Sequence, residues 1–193
     1  PDYEALIYGN IKYTWKQVYE RSTRFASSLE KQGIGLGDTV SILAANTPEL
    51  FEAHYSVPMT GAVINTINIR LDPHTIAYIL DHSDAKLFIM DTQFSPTIKK
   101  ALELVSKNIP IIDIMDEKAQ LKEGEGERLG QWTYEEFLKL GDKNYQWKKP
   151  KDEWQAISLS YTSGTTGQPK GAVYHHRGSY LMSMGSVVAW NMP

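Results

Sequence analysis

Apolar positions along the chain alternate between two spacings, one helical and one strand-like. After Thr14-Trp15-Lys16-Gln17, which has the spacing of a capping box, Trp15, Val18, Tyr19, Phe25, Ala26 and Leu29 recur at helical intervals, and Gly33 supplies a stop. Val40 to Ala44 then reads as a strand. Thr47-Pro48-Glu49 opens the next helix with a cap, a first-turn proline and an acid at the positive dipole end, and this helix is expected to run to about Pro58. Ala62 to Asn65 reads as a strand. Asp72-Pro73 opens a helix through about His82, carrying Ile76, Ile79 and Leu80, and Lys86 to Met90 follows as a strand. Ser95-Pro96 opens another helix, expected through about Lys107, and Ile109 to Ile114 forms a further apolar run. Helices and strands in alternation, with short connectors, predict an α/β fold: a largely parallel sheet covered by helices.

The pattern changes after residue 115. Residues 116–130 are polar and contain glycine, which predicts a surface connector. Thr133-Tyr134-Glu135-Glu136 opens a short helix with a second capping box, ended by Gly141, and residues 144–151 read as a loop. The expected organisation is helix–strand alternation over 1–115, a connector with a short helix over 116–153, and a strand, loop and helix over 154–193. The last helix carries Leu181, Met184, Val187, Val188 and Trp190 at helical spacing, for which core packing is the default role.

Composition narrows the function classes. A hydrophobic fraction of 41% and a charged fraction of 22% are those of an ordinary globular protein. The net charge of −3, with no long basic tract, does not favour nucleic acid as a partner. Zero cysteine excludes a disulfide framework and a thiolate nucleophile, and fits a reducing cytoplasm, with an organelle matrix also open. No run approaches the roughly 20 apolar residues of a membrane span. Pro1-Asp2-Tyr3-Glu4 is acidic and has no apolar leader, so no secretory signal is expected.

The candidate chemistry concentrates in Tyr161-Thr162-Ser163-Gly164-Thr165-Thr166-Gly167-Gln168-Pro169-Lys170-Gly171, directly after the apolar run from Ala156 to Ser160. Aliphatic hydroxyls, glycines that bare backbone amides, and one ammonium are what a polyphosphate requires. A Walker loop is ruled out by spacing, since Pro169 separates Gly167 from Lys170 and Gly171 stands where that motif needs a hydroxyl. The following Ala172-Val173-Tyr174 also reads as a strand rather than a helix. A glycine-rich hairpin built only for its turn chemistry stays open as a structural reading.

The same residues, Thr162 to Gly171, resemble at essentially every position the ATP-phosphate motif of the adenylate-forming superfamily: acyl-CoA synthetases, peptide-synthetase adenylation domains and luciferases. Tyr13-Thr14-Trp15, Gly37-Asp38-Thr39-Val40, Asn46-Thr47-Pro48-Glu49 and Gly61-Ala62-Val63 resemble the family's amino-terminal landmarks in order. Ile67 to Leu71, Ile76 to Leu80 and Ser83 to Lys86 are similar to the fatty acyl-CoA synthetase branch.

The resemblance implies an ATP-dependent acid–thiol ligase. A carboxylic acid of medium or long chain, or a related acid, becomes an acyl-adenylate with release of pyrophosphate, then a thioester of coenzyme A. It implies that Ser163, Thr165 and Thr166 donate hydroxyl hydrogen bonds to phosphate oxygens, that Gly164 and Gly167 present amides, and that Lys170 supplies charge. Thr162 is implied as a magnesium ligand, and Met184 and Trp190 as contacts to the acid. It further implies that the chain is the amino-terminal portion of the AMP-binding domain, with the carboxy-terminal domain absent. No catalytic residue then falls within 1–193, and the chain alone would be inactive. A homodimer is compatible with the resemblance. Two other readings stay open: an adenylating enzyme with a carrier-protein acceptor, and a non-catalytic nucleotide-binding or dimerisation module.

Other polar residues have plainer expectations. His175 and His176 are read as neighbours on a strand that point apart, without a third ligand at metal spacing. Lys12, Lys99 and Lys100 are read as solvated, and His54 and Tyr55, on a helix with Phe51, as core or interface.

Overall fold

The apolar runs become strands, and the capped segments between them become helices. A computed structural model of the chain describes residues 2–162 and 167–192. In order, its elements are β1 (Glu4–Tyr8), β2 (Ile11–Thr14), α1 (Trp15–Lys31), β3 (Thr39–Leu43), α2 (Pro48–Met59), β4 (Val63–Thr66), α3 (Pro73–His82) and β5 (Ala85–Asp91). They continue as α4 (Ser95–Leu102), β6 (Ile111–Ile114), β7 (Trp132–Thr133), α5 (Tyr134–Lys139), β8 (Ala156–Thr162), β9 (Lys170–His175) and α6 (His176–Ala189).

Both capping boxes form. The Gln17 amide donates to the Thr14 hydroxyl at 3.2 Å while the Thr14 amide donates to the Gln17 side chain at 2.8 Å, and Thr133 and Glu136 repeat the exchange at α5. Thr47 and Asp72 cap α2 and α3, each ahead of a proline in the first turn. Helix α4 ends at Leu102 rather than Lys107. Ser106 is drawn to the Asp81 carboxylate through both its amide and its hydroxyl, and Lys107 pairs with Asp84, so tertiary bonds replace the last helical turn.

Among the described residues the main sheet has seven strands, in the order β7-β6-β5-β3-β4-β8-β9. Every neighbouring pair is parallel except β8 and β9. The chain moves from β3 outward to β4, then returns past β3 to β5, so β3 lies inside the sheet and all five of its residues are buried. One apolar cluster packs α1, α2 and α5 on one face through Phe25, Leu29, Val57, Tyr134 and Phe137. A second packs α3 and α4 on the other through Ile76, Ile79, Leu80 and Ile98. Helices on both faces bury the central strands on both sides, so β5 and β6 are nearly continuous apolar runs, while β3 and β4 also bury Ser41 and Asn65, which bond to each other.

A small hairpin of β1 and β2 precedes this sheet and was not anticipated from the sequence. Its turn is Gly9-Asn10, and the Tyr8 hydroxyl donates to the Asp116 carboxylate at 2.6 Å, fixing the hairpin to the connector. That connector is itself docked. Fully buried Asp113 accepts from the amides of Leu129 and Gly130, which brings the chain back beside β6 to form β7.

One buried charge joins three helices. Arg21 of α1 donates to Glu52 of α2 at 2.5 Å, and the Tyr134 hydroxyl of α5 donates to the other Glu52 oxygen at 3.1 Å. Burial pushes the Glu52 carboxyl up, to about 7, against the pull of Arg21 and Tyr134.

Candidate functional site

Strands β3, β4, β5 and β8 run parallel, so Leu43, Thr66, Asp91 and Thr162 reach the same carboxyl edge of the sheet. Ligands of open α/β sheets gather at this edge, where the order of the strands reverses. The hydroxyl- and glycine-rich loop departs from this edge, between the end of β8 and the start of β9.

The two strands hold the ends of the loop in register. Thr162 pairs with Lys170, Tyr161 with Gly171, and Ser160 with Ala172. The Thr162 hydroxyl lies 3.5 Å from the Lys170 carbonyl, to which it donates. Thr162, Gly167 and Lys170 are exposed. Among the described residues no ion pair engages Lys170, so its ammonium is free to meet an anion. Ser163, Gly164, Thr165 and Thr166 lie outside the described residues. Beside the loop a cleft of about 470 Å³ opens between the exits of β4 and β8, lined by Thr66, Asn68, Ser160, Tyr161, Thr162 and Pro169 among others.

Tyr161 has a partner that the sequence did not reveal. Its hydroxyl lies 2.7 Å from Nδ1 of His82, on the last turn of α3, and the two rings meet edge to face. His82 in turn stacks on Tyr78, four residues earlier on the same helix. Burial, and then the neighbouring Tyr78, push the Tyr161 phenol up. The contact joins residues 79 apart in sequence, so no local spacing could signal it.

The histidine pair is built differently from its expectation. His175 ends β9, and His176 begins α6, so the two do not share a strand. His175 serves as the cap: its Nδ1 accepts from the Gly178 amide at 2.9 Å, the role usually taken by a short oxygen-bearing side chain. Burial lowers the pKa of His176. Lys12 and Lys99 are not merely solvated but pair with Glu4 and Glu127 at the surface.

Met184 stands on α6 and Trp190 caps its carboxyl end, 48% and 78% exposed, and neither lines the cleft. Helix α6 has no buried residue, so its apolar positions do not form core among the described residues. Also among the described residues, no group of three or more His, Cys, Asp or Glu side chains could hold a metal ion, and no helix is long and apolar enough to cross a membrane.

Comparison with known proteins identifies the family. The family described as AMP-binding enzyme matches residues 1–192. The chain is 44% identical over 200 residues to an acetate–CoA ligase of Humulus lupulus, and 42% identical over 200 residues to a peroxisomal acetate/butyrate–CoA ligase of Arabidopsis thaliana. Each alignment covers 100% of this chain and 35% of the relative. A peroxisomal trans-cinnamate:CoA ligase of Petunia hybrida is 41% identical over 204 residues, covering 97% of this chain and 35% of that protein. The chain therefore spans about a third of the length of the curated relatives it matches.

Among solved structures, an anthranilate CoA ligase bound to anthranoyl-AMP superposes with a TM-score of 0.83 at 24% identity, over 95% of this chain and 33% of that one. A benzoate CoA ligase from Burkholderia xenovorans gives 0.77 at 22% identity, over 94% and 33%. Both show the fold. With the family model matched over residues 1–192 and relatives more than 40% identical across the whole chain, the chain belongs to the AMP-binding enzyme family.

Proposed function

We propose that the protein carrying this chain is an AMP-forming acyl-CoA ligase, and that residues 162–171 are its grip on the phosphates of ATP. In the first step a carboxylate oxygen of the acid attacks the α-phosphorus, and pyrophosphate leaves. In the second, the thiol of coenzyme A attacks the acyl carbon, and AMP leaves. A carboxylate is a weak electrophile, so the adenylate is needed to provide the leaving group. Charge builds on the departing pyrophosphate, and fixed donors that meet it lower the barrier.

Those donors would come from this chain. Ser163, Thr165 and Thr166 would give hydroxyls, Gly164 and Gly167 backbone amides, and Lys170 a point charge. The observation that carries the reading is the register of β8 and β9, which sets Thr162 opposite Lys170 at the carboxyl edge, with the rest of the motif between them. Magnesium would arrive on the phosphates of ATP, with Thr162 giving it a single hydroxyl oxygen, a ligand type that ion accepts. No residue of this chain is assigned to the chemical step itself.

The acid is a finer question. The sequence pointed to a medium- or long-chain acid, whereas relatives are named for acetate, butyrate, 2-methylpropanoate and trans-cinnamate. Those names support a short-chain monocarboxylic acid as the first choice, and coenzyme A rather than a carrier protein as the acceptor. Met184 and Trp190 offer exposed apolar surface for the hydrocarbon part of such an acid. The peroxisomal naming of two of these relatives supports an organelle matrix as readily as the cytoplasm.

The test is coenzyme A thioester formation by the full-length protein with acetate, butyrate, octanoate, palmitate and cinnamate. Highest kcat/KM with a short-chain acid is expected. Preference for palmitate would overturn the choice of acid, and adenylate without thioester would overturn the choice of acceptor.

A further inference from the structure

Resting on the reading that residues 162–171 hold the phosphates of ATP, we propose that His82 and Tyr161 are positioning residues that together fix both ends of that loop. The need for such a device is visible in the sheet. Strand β8 is joined to β4 through Ser158, Leu159 and Ser160, paired with Ile64, Asn65 and Thr66, and that pairing ends there. Tyr161 and Thr162, with Gly171 and Lys170 opposite them, extend past it as a two-stranded ribbon. A two-stranded ribbon is marginally stable alone. Whatever holds the phosphate donors in place must therefore reach the ribbon from elsewhere.

Tyr161 makes that connection. Its ring packs on the apolar cluster under α3 and α4, and its hydroxyl meets His82 Nδ1 at 2.7 Å. The stack of His82 on Tyr78, with ring centres 5.2 Å apart, holds the imidazole in place. On its other side the tyrosine lies over Gly171. A Cβ at Gly171 would come within 3.4 Å of Tyr161 Cζ and 2.8 Å of Leu159 Cδ1. One phenol thus touches α3, precedes Thr162 directly, and covers the residue after Lys170. Phosphate donors act through their placement, and misplacement by about 1 Å can cost about a hundredfold in rate.

The proposal makes a specific demand on mutants of the full-length protein. His82→Phe keeps a ring to stack on Tyr78 but removes the polar atom, and Tyr161→Phe removes the other partner. Each should weaken MgATP binding by about five- to tenfold, in Kd by calorimetry and in KM for ATP, with the KM for the acid unchanged. The double variant should be no weaker than either single one, because both remove the same bond. His82→Asn puts an amide atom near the place of Nδ1 and should restore affinity to within about twofold of wild type.

Unchanged ATP affinity in both single variants would overturn the proposal, even if their melting temperatures fall, since the contact would then only support the fold. Losses that multiply in the double variant would overturn it as well. The two readings fail separately. A wild-type protein that binds ATP but makes no thioester sinks the ligase reading, while the ratio of Kd values still decides the role of His82. A wild-type protein that does not bind ATP sinks both.

Discussion

Adding one methyl group at Gly141 should separate α5 from α1. A Cβ there would stand 1.8 Å from the Arg24 carbonyl oxygen, 2.6 Å from its carbon and 2.8 Å from the Ser28 hydroxyl. The first two obstacles are backbone in the middle of a packed helix and cannot rotate aside, so the segment after α5 must lift. Three bonds cross that junction. Ser28 donates to the Phe137 carbonyl at 2.7 Å, Lys31 to the Leu140 carbonyl at 2.7 Å, and the Asp142 amide to Ser27 at 3.0 Å.

At about 1 kcal/mol each, their loss costs about 2–3 kcal/mol, the Lys31 bond counting least because it is exposed. Loosened packing of Phe25 against Tyr134 and Phe137, at ring separations of 4.4 and 5.1 Å, brings the total to about 3–5 kcal/mol. For a domain of this size that is a fall of about 6–20 °C in Tm. Gly185→Ala is the matched control. It lies inside α6 where, among the described residues and apart from its chain neighbours and own helix backbone, nothing lies within 4 Å of the new Cβ, so alanine's better helix propensity should raise stability by about 0.5–1 kcal/mol. Thermal and urea unfolding followed by far-UV circular dichroism compares both variants with wild type. A Gly141→Ala midpoint within about 2 °C of wild type, or an equal fall in Gly185→Ala, would refute the steric argument.

Two further substitutions test local chemistry. The Asp116 carboxylate that accepts the Tyr8 hydroxyl, with burial behind it, pushes that phenol up to about 12. A phenol raised in the folded state contributes stability that is full below its ordinary value near 10 and is lost as pH climbs through about 12, so Tyr8→Phe should flatten the alkaline decline of the urea midpoint over that window. An identical slope in the variant would show that this bond does not bear on the hairpin. Thr162→Val should raise the magnesium concentration for half-maximal adenylation several-fold, with Thr162→Ser near wild type. An unchanged magnesium requirement would remove Thr162 from the ion.

Much of the frame was readable because its signals are local. Thr14 with Gln17, Thr133 with Glu136, and the Thr47-Pro48 and Asp72-Pro73 starts each satisfy backbone donors within one turn, and all of them form. The end of α4 was not readable, because Asp81 and Asp84 capture Ser106 and Lys107 from a distant part of the chain. The β1–β2 hairpin did carry a local signal, a Gly9-Asn10 turn between β-forming runs. His175 as the cap of α6 broke the usual rule, since a ring nitrogen replaces the expected hydroxyl or carboxylate. At the site, the loop announced itself through residue types alone. Its carboxyl-edge setting depends on β8 joining β4, and its tie to α3 depends on His82, both of which only the folded chain brings together.

The proposed grip of this loop on the phosphates of ATP, during adenylation of a carboxylic acid, can be measured by ATP–pyrophosphate exchange in the full-length protein, wild type beside Lys170→Ala, with and without butyrate. Exchange that depends on the acid is expected in wild type. A fall of about a hundredfold is expected in Lys170→Ala at unchanged melting temperature, because Lys170 is exposed and supports nothing in the core. Exchange at the wild-type rate in Lys170→Ala, or exchange that ignores the acid, would contradict the proposed grip.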